Sequence, residues 1–329
     1  METEVLNNKD VDLFKEDVTE NTISTPTPFI QANTVDGNLE EIKSNHVIPV
    51  FIKDNEPVIS HSDFIETTFD VVSSVFHCET VLSPSVRLSH PIKGRIPEAR
   101  HKPANQLLEH EKTLYYERMA FIIEIPTIHD EIDGNKLSLT VGGIKAYNLD
   151  NLYNRKGADE HFKVFIGFQN KVCTNLCVWT DGLLGDLKVK NIGMLRANIK
   201  TLFENYNAGF QIHFFQKLSD YFITEKQFAN LIGRCRMYNH LPNSSKNSLT
   251  PLLLSDTQLN SVVRDFYRDN SFCKDKNGNI NLWKLYNLFT GSNKSSYIDT
   301  FLDRSVNAFQ FVNELRYALD MQETNWFLN

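Results

Sequence analysis

Apolar and polar positions along the chain change rhythm twice. Over residues 1–45 the apolar side chains are sparse and scattered among Asn, Thr and acids. Thr25-Pro26-Thr27-Pro28 favours extended backbone there. So little apolar surface cannot offset the entropy of ordering, which predicts a largely disordered leader over residues 1–63. Val47–Ile52 is a short apolar island within it, suited to docking as a strand or clip. The ordered body is expected to begin near Phe64.

Residues 64–190 read as a β-rich domain. Asp63–Phe76 opens it with a short helix, its apolar residues at helical spacing. Met119–Ile125 and Leu137–Val141 are strand-like, and the Asp133-Gly134 step between them is a hairpin signal. His161–Phe168 and Val172–Trp179 form a second strand pair, with Gln169-Asn170-Lys171 as its turn. Asn148–Gly157 is a polar connector.

From Ile192 the period becomes helical, defining a helical half over residues 191–329. Ile192, Leu195, Ile199, Leu202 and Phe203 make one stripe, and Phe210–Phe222 a second helix. Thr224 with Gln227, and Ser255 with Gln258, are capping boxes that open two more. Asn281–Phe289 and Tyr297–Met321 complete the set. The fold class is therefore α+β, an antiparallel β-rich N-terminal domain followed by a helical C-terminal half.

Charge sharpens this division. Residues 1–70 hold fifteen Asp/Glu against four Lys/Arg, a net of −11, and the remainder carries +4. The overall −7 thus masks a mildly basic body able to meet a polyanion. The longest apolar runs fall far short of a bilayer span, and Met1–Val5 lacks the basic and apolar regions of a signal peptide. A cytoplasmic protein with no membrane contact is expected. The five cysteines form no paired framework and read as reduced thiols.

Candidate chemistry is incomplete. Asp275–Ile280 resembles the middle of a calcium loop, but Cys273 and Lys284 occupy ligand positions, leaving a turn. Asp186-Leu187-Lys188 has the acid-x-lysine spacing of metal-dependent nucleases, with Asp133 or Asp181 as the further carboxylate. An exposed charged edge accounts for the same three residues. Gly142-Gly143 lacks a nucleotide-binding spacing and reads as a bulge or twist. No metal set or cofactor motif is present, and no catalytic residue is assigned.

The most suggestive stretch is Arg87–Lys102, where Arg87, Lys93, Arg95, Arg100 and Lys102 face a single acid, Glu98. Four prolines and glycines (Pro91, Gly94, Pro97, Pro103) keep it from being a helix, as befits a flexible arm following a phosphate backbone. Lys188, Lys190, Arg196 and Lys200 form a second basic cluster. Single- or double-stranded nucleic acid is the partner these residues fit, with a protein partner as the alternative.

Two further stretches carry a resemblance. Val172-Cys173-Thr174-Asn175, read at the start of a strand, resembles the Val-Cys-x-Asn element of the phage/plasmid-like proteins. Trp283 and Asn287, within Leu282–Asn287 and on to Thr290 and Tyr297, resemble that group's Trp-x-x-x-Asn-x-x-Thr segment. Over residues 64–320 the texture is similar to an uncharacterised domain-of-unknown-function family of Bacteroidetes mobile elements. The resemblance implies a helper protein of a phage, plasmid or conjugative element. It attaches Cys173, Asn175, Trp283 and Asn287 to the family pattern. On the residues alone, Cys173 is a packed thiol, Asn175 a strand-end hydrogen bonder and Trp283 a core anchor.

Overall fold

A computed structural model describes residues 27–45, 59–151 and 159–329. Its centre is an antiparallel sheet in the order β1 (Thr34–Gly37), β2 (Ser85–Ser89), β5 (Arg118–Ile132), β6 (Asn135–Ala146), β7 (Glu160–Asn170). Strand β8 (Leu176–Cys177) pairs with the end of β7, and β9 (Leu183–Val189) with its beginning. Between β2 and β5 the chain leaves the sheet as a two-stranded ribbon, β3 (Ile92–Arg95) against β4 (Lys112–Tyr115).

The β5–β6 hairpin turns on Asp133 and Gly134, both at positive φ (49° and 76°) between the paired Ile132 and Asn135. That two-residue geometry is what an Asp-Gly step favours. The strands run farther toward the turn than the apolar pattern alone indicated. Their register slips between Ile125 and His129, where Pro126 has no N–H to give the ladder.

Alternation along β5 sorts side chains to two faces. Met119, Phe121, Ile123 and Ile125 enter the main core beneath α2 (His61–Val75) and α4 (Ile192–Asn205). Ala120 and Ile122 enter a second core with Ile298, Phe301, Leu302 and Val306. Those four belong to the first half of α10 (Ile298–Met321). The antiparallel sheet therefore carries helices on both faces, in a mixed α and β fold with its helices concentrated in the C-terminal half.

The remaining helices are α1 (Leu39–Asn45), α3 (Tyr147–Asn151), α5 (Ala208–Leu218), α6 (Glu225–His240), α7 (Asn243–Lys246), α8 (Asp256–Arg268) and α9 (Leu282–Asn293). Both anticipated capping boxes are formed, Thr224 with Gln227 on α6 and Ser255 with Gln258 on α8. A third, Ser60 with Asp63, starts α2. A short pair, β10 (Phe222–Ile223) with β11 (Ile280–Asn281), joins the openings of α6 and α9. One continuous buried cluster runs from Ile42 to Leu328 and includes the inner face of the sheet as well as Trp283, Tyr286 and Phe309.

Several sequence expectations change. Residues 34–45, within the expected leader, form β1 and α1, and Phe29 and Ile30 are buried beside α10. Residues 1–26 and the island Val47–Ile52 lie outside the described residues. Gly142 and Gly143 mark no bulge, since the register through them is unbroken. They permit close approach instead: a Cβ on Gly142 would sit 2.1 Å from the Phe121 carbonyl oxygen, and one on Gly143 2.4 Å from the Phe64 ring. The strand expected over Val172–Trp179 shrinks to Leu176–Cys177. Asn170 bends the chain early, its Oδ1 accepting the Val172 N–H at 3.0 Å and its carbonyl accepting the Thr174 N–H at 2.8 Å. Val172, Cys173, Thr174 and Asn175 thus form the turn itself, with Thr174 at φ 56°. Asp275 nucleates an ordinary turn, its Oδ1 accepting the N–H groups of Asn277 and Asn279, both at 2.8 Å.

Candidate nucleic-acid interface and two buried polar clusters

The basic stretch divides in two on folding. Arg87 stands in β2 rather than in an arm, and it is buried. Its guanidinium is engaged by the Asp36 carboxylate, the Thr34 hydroxyl and the Thr34 carbonyl, which hold β1 to the sheet. The others lie on the ribbon, which is stitched rather than loose. Arg95 donates to the Lys102 carbonyl, Lys102 pairs with Glu111, and Lys112 with Glu109. The Lys102 ammonium and the Leu108 N–H hold the Glu111 carboxyl below its ordinary value.

Lys93, Arg95 and Arg100 are exposed, and none meets a carboxylate among the described residues. Register places Arg95 opposite Lys112 and Lys93 opposite Leu114. Directly paired residues share a face of the ribbon, so Lys93, Arg95 and Lys112 form one basic surface. Along it runs a groove of about 580 Å³, lined by those three residues with Leu107, Glu109 and Leu114 among others.

The second basic cluster joins the same end of the sheet. Arg118 begins β5 opposite Ala146, Ile144 pairs with Lys163, and His161 pairs with Lys188. The ribbon root and Lys188 therefore flank one rim. Lys188 and Lys190 are exposed there, Lys188 with its Nζ 3.2 Å from Asp186. Asp186 and Lys188 share the solvent face of β9, as their spacing requires. Asp133 is bound instead to Asn281 at the far hairpin tip, and Asp181 occupies a 3₁₀ turn. No group of three or more His, Cys, Asp or Glu suited to holding a metal ion occurs among the described residues. Arg196 turns away to Asp70, joining α4 to α2.

The four residues that carry the sequence resemblance come together. Asn175 Nδ2 donates to the Asn287 carbonyl at 2.9 Å, and Asn170 Nδ2 donates to Asn287 Oδ1 at 3.1 Å. Asn287 Nδ2 in turn donates to the Trp283 carbonyl one turn back along α9. Lys294, buried at the end of α9, donates to the Cys173 carbonyl and the Thr174 hydroxyl, and burial lowers its pKa. Burial pushes the Cys173 thiol up to about 11, so it is protonated at neutral pH and a poor nucleophile. This is a clamp that docks the β7–β8 turn on α9.

A second cluster escaped sequence reading. Lys145, wholly buried near the end of β6, donates to Glu160 Oε2 at 2.9 Å and to Asp150 Oδ2 at 3.2 Å. Its ammonium lies 4.0 Å from the Phe162 ring centroid. Glu160 also accepts the Ile59 N–H, and Asp150 Oδ1 takes the His161 N–H at 2.8 Å with its Nδ1 at 3.3 Å. Burial holds the neighbouring Tyr115 and Tyr147 hydroxyls in their neutral form. One ammonium thus ties α3 to β7, and Glu160 extends the tie to Ile59, just ahead of the α2 cap. The available signal was a lone lysine between Ile144 and Ala146, in a strand expected to stop at Val141.

Residues 13–328 match the family described as "Domain of unknown function, B. Theta Gene description (DUF3871)", and the chain belongs to it. No curated protein matches the chain, and no solved structure matches it. No helix among the described residues is long and apolar enough to cross a membrane.

Proposed function

We propose that this chain is a non-enzymatic, cytoplasmic accessory factor of a mobile genetic element that engages nucleic acid, with single strands as a favoured form. The observation carrying this reading is the β3–β4 ribbon, whose exposed Lys93, Arg95 and Arg100 have no carboxylate partner among the described residues. Surface cations left unpaired beside a groove are what a phosphate backbone recruits. Lys188 and Lys190 extend the same rim. The resemblance of the Cys173–Asn175 and Trp283–Asn287 stretches to phage/plasmid-like proteins supports the mobile-element setting.

Titration of the purified protein with single- and double-stranded DNA and RNA across salt tests the reading. Three ribbon contacts on a single strand give a log–log salt slope of about −2, from about −0.7 per contact. Replacing Arg95 and Arg100 together with Ala is expected to flatten the slope by roughly one to two units. Absence of binding at low salt would remove the nucleic-acid reading and promote a protein partner. The exposed Ile92 and Leu108 on the ribbon favour that alternative.

A further inference from the structure

At the ribbon root lies a second hollow, of about 310 Å³, near the lower end of the size range of small-molecule pockets. Ile92 and Tyr297 line it, 50% and 56% exposed, together with His90 and Arg118. Tyr297 immediately precedes α10, whose next turn is fixed by Ile298, Phe301 and Leu302 in the second core. The Tyr297 ring has no aromatic neighbour among the described residues, so a rigid support presents an open aromatic face.

Alternation along β3 sets this hollow apart from the cations. Ile92 and Gly94 point to one face of the strand, and Lys93 and Arg95 to the other. A single nucleic-acid strand has the same polarity, with phosphates along one side and bases along the other. Lying along β3, it would set its phosphates on Lys93 and Arg95 and a base over Ile92 and Tyr297. Stacking is the usual source of sequence-tolerant affinity for single strands. Residues 90–114 and 183–200, which hold both basic clusters, contain no Phe, Trp or Tyr. Tyr115, which pairs with Ile92 at the end of β4, is buried and stacked on Tyr147, so neither cluster presents an exposed Phe, Trp or Tyr ring of its own.

We infer that Tyr297 is a stacking platform for one nucleobase of a single strand, an inference that rests on the nucleic-acid reading above. A duplex keeps its base faces stacked internally, so Tyr297 selects for the single-stranded form. Arg118 lies between Glu117 at 3.4 Å and Asp299 at 3.7 Å, placing a guanidinium edge in the same hollow.

The test is a titration of the full chain with oligo(dT) and with an abasic deoxyribose-phosphate oligomer of equal length, repeated for Tyr297→Ala and Tyr297→Trp. Tyr297→Ala is expected to weaken oligo(dT) binding roughly 5- to 150-fold with an unchanged salt slope. Tyr297→Trp is expected to retain affinity, and the abasic oligomer to bind both variants like the parent. Melting temperatures of the variants report folding, which an exposed ring at a helix start should leave unmoved. Salt-dependent oligo(dT) binding that Tyr297→Ala leaves unchanged overturns the stacking role while the ribbon reading stands. An abasic oligomer bound by the parent as tightly as oligo(dT) has the same meaning. Failure of both oligomers to bind at low salt removes the nucleic-acid reading itself.

Discussion

Asn287 links two stretches that are 112 residues apart, its backbone carbonyl accepting from Asn175 while its side chain accepts from Asn170 and gives to the Trp283 carbonyl. An amide suits this position because it can satisfy a donor and an acceptor at once inside an apolar cluster. The sequence motifs marked Asn175 and Asn287 separately; that they meet is a tertiary fact no local pattern contains. Cys173, in the same clamp, yields a pH prediction. Its thiol ionises near 11 in the fold, against an ordinary 9.0. The native state therefore favours the protonated form, and this contribution is present below pH 9. It is lost as pH rises from 9 to about 11, where the unfolded chain gives up its proton first. Iodoacetamide at pH 8 should consequently label the exposed Cys78 well before Cys173, with Cys173 labelling accelerating only toward pH 11. Equal labelling rates at pH 8, read by mass spectrometry, would show the clamp to be open.

Helices were the most legible elements, because caps and apolar stripes are local: α4, α6, α8 and α10 begin within a residue of their expected starts. The β7–β8 turn was not, since Asn170 and Asn175 outcompete the apolar run that suggested a strand beginning at Val172. Lys145 was missed for a related reason: period and propensity place a lysine on a surface, and only the carboxylates of Asp150 and Glu160 make its burial tolerable. The Gly142-Gly143 pair was noticed, but its role depends on α2 lying across β6. Gly143→Ala would set a methyl 2.4 Å from the Phe64 ring and 2.8 Å from the Lys163 carbonyl. Overpacking of that kind costs about 1–3 kcal/mol, expected as a lowered urea midpoint with an unchanged slope. A midpoint equal to the parent's would mean that α2 yields easily.

Across the whole molecule, the β-rich stretch and the helical half contribute to one buried cluster, and α10 packs on the sheet with its first half and on α9 farther along. Such sharing predicts a single unfolding transition. Far-ultraviolet dichroism, which follows both halves, should coincide with the fluorescence of Trp179, Trp283 and Trp326, all outside β1–β7. Two separated transitions would instead locate an independent unit on either side of residue 191. The outer part of the ribbon stands apart from this shared interior, which reaches only its root, where Leu114 and Tyr116 pack on the core and Tyr115 stacks on Tyr147. Ser89 and Arg118, where the chain departs and returns, are already neighbours, the Ser89 hydroxyl accepting the Arg118 N–H at 3.1 Å, and Leu88 pairs with Met119. Residues 94–113 are therefore an excisable module: a tight turn in their place would join Lys93 to its partner Leu114, leaving a scaffold onto which a relative's ribbon tip can be grafted to exchange what the molecule recognises.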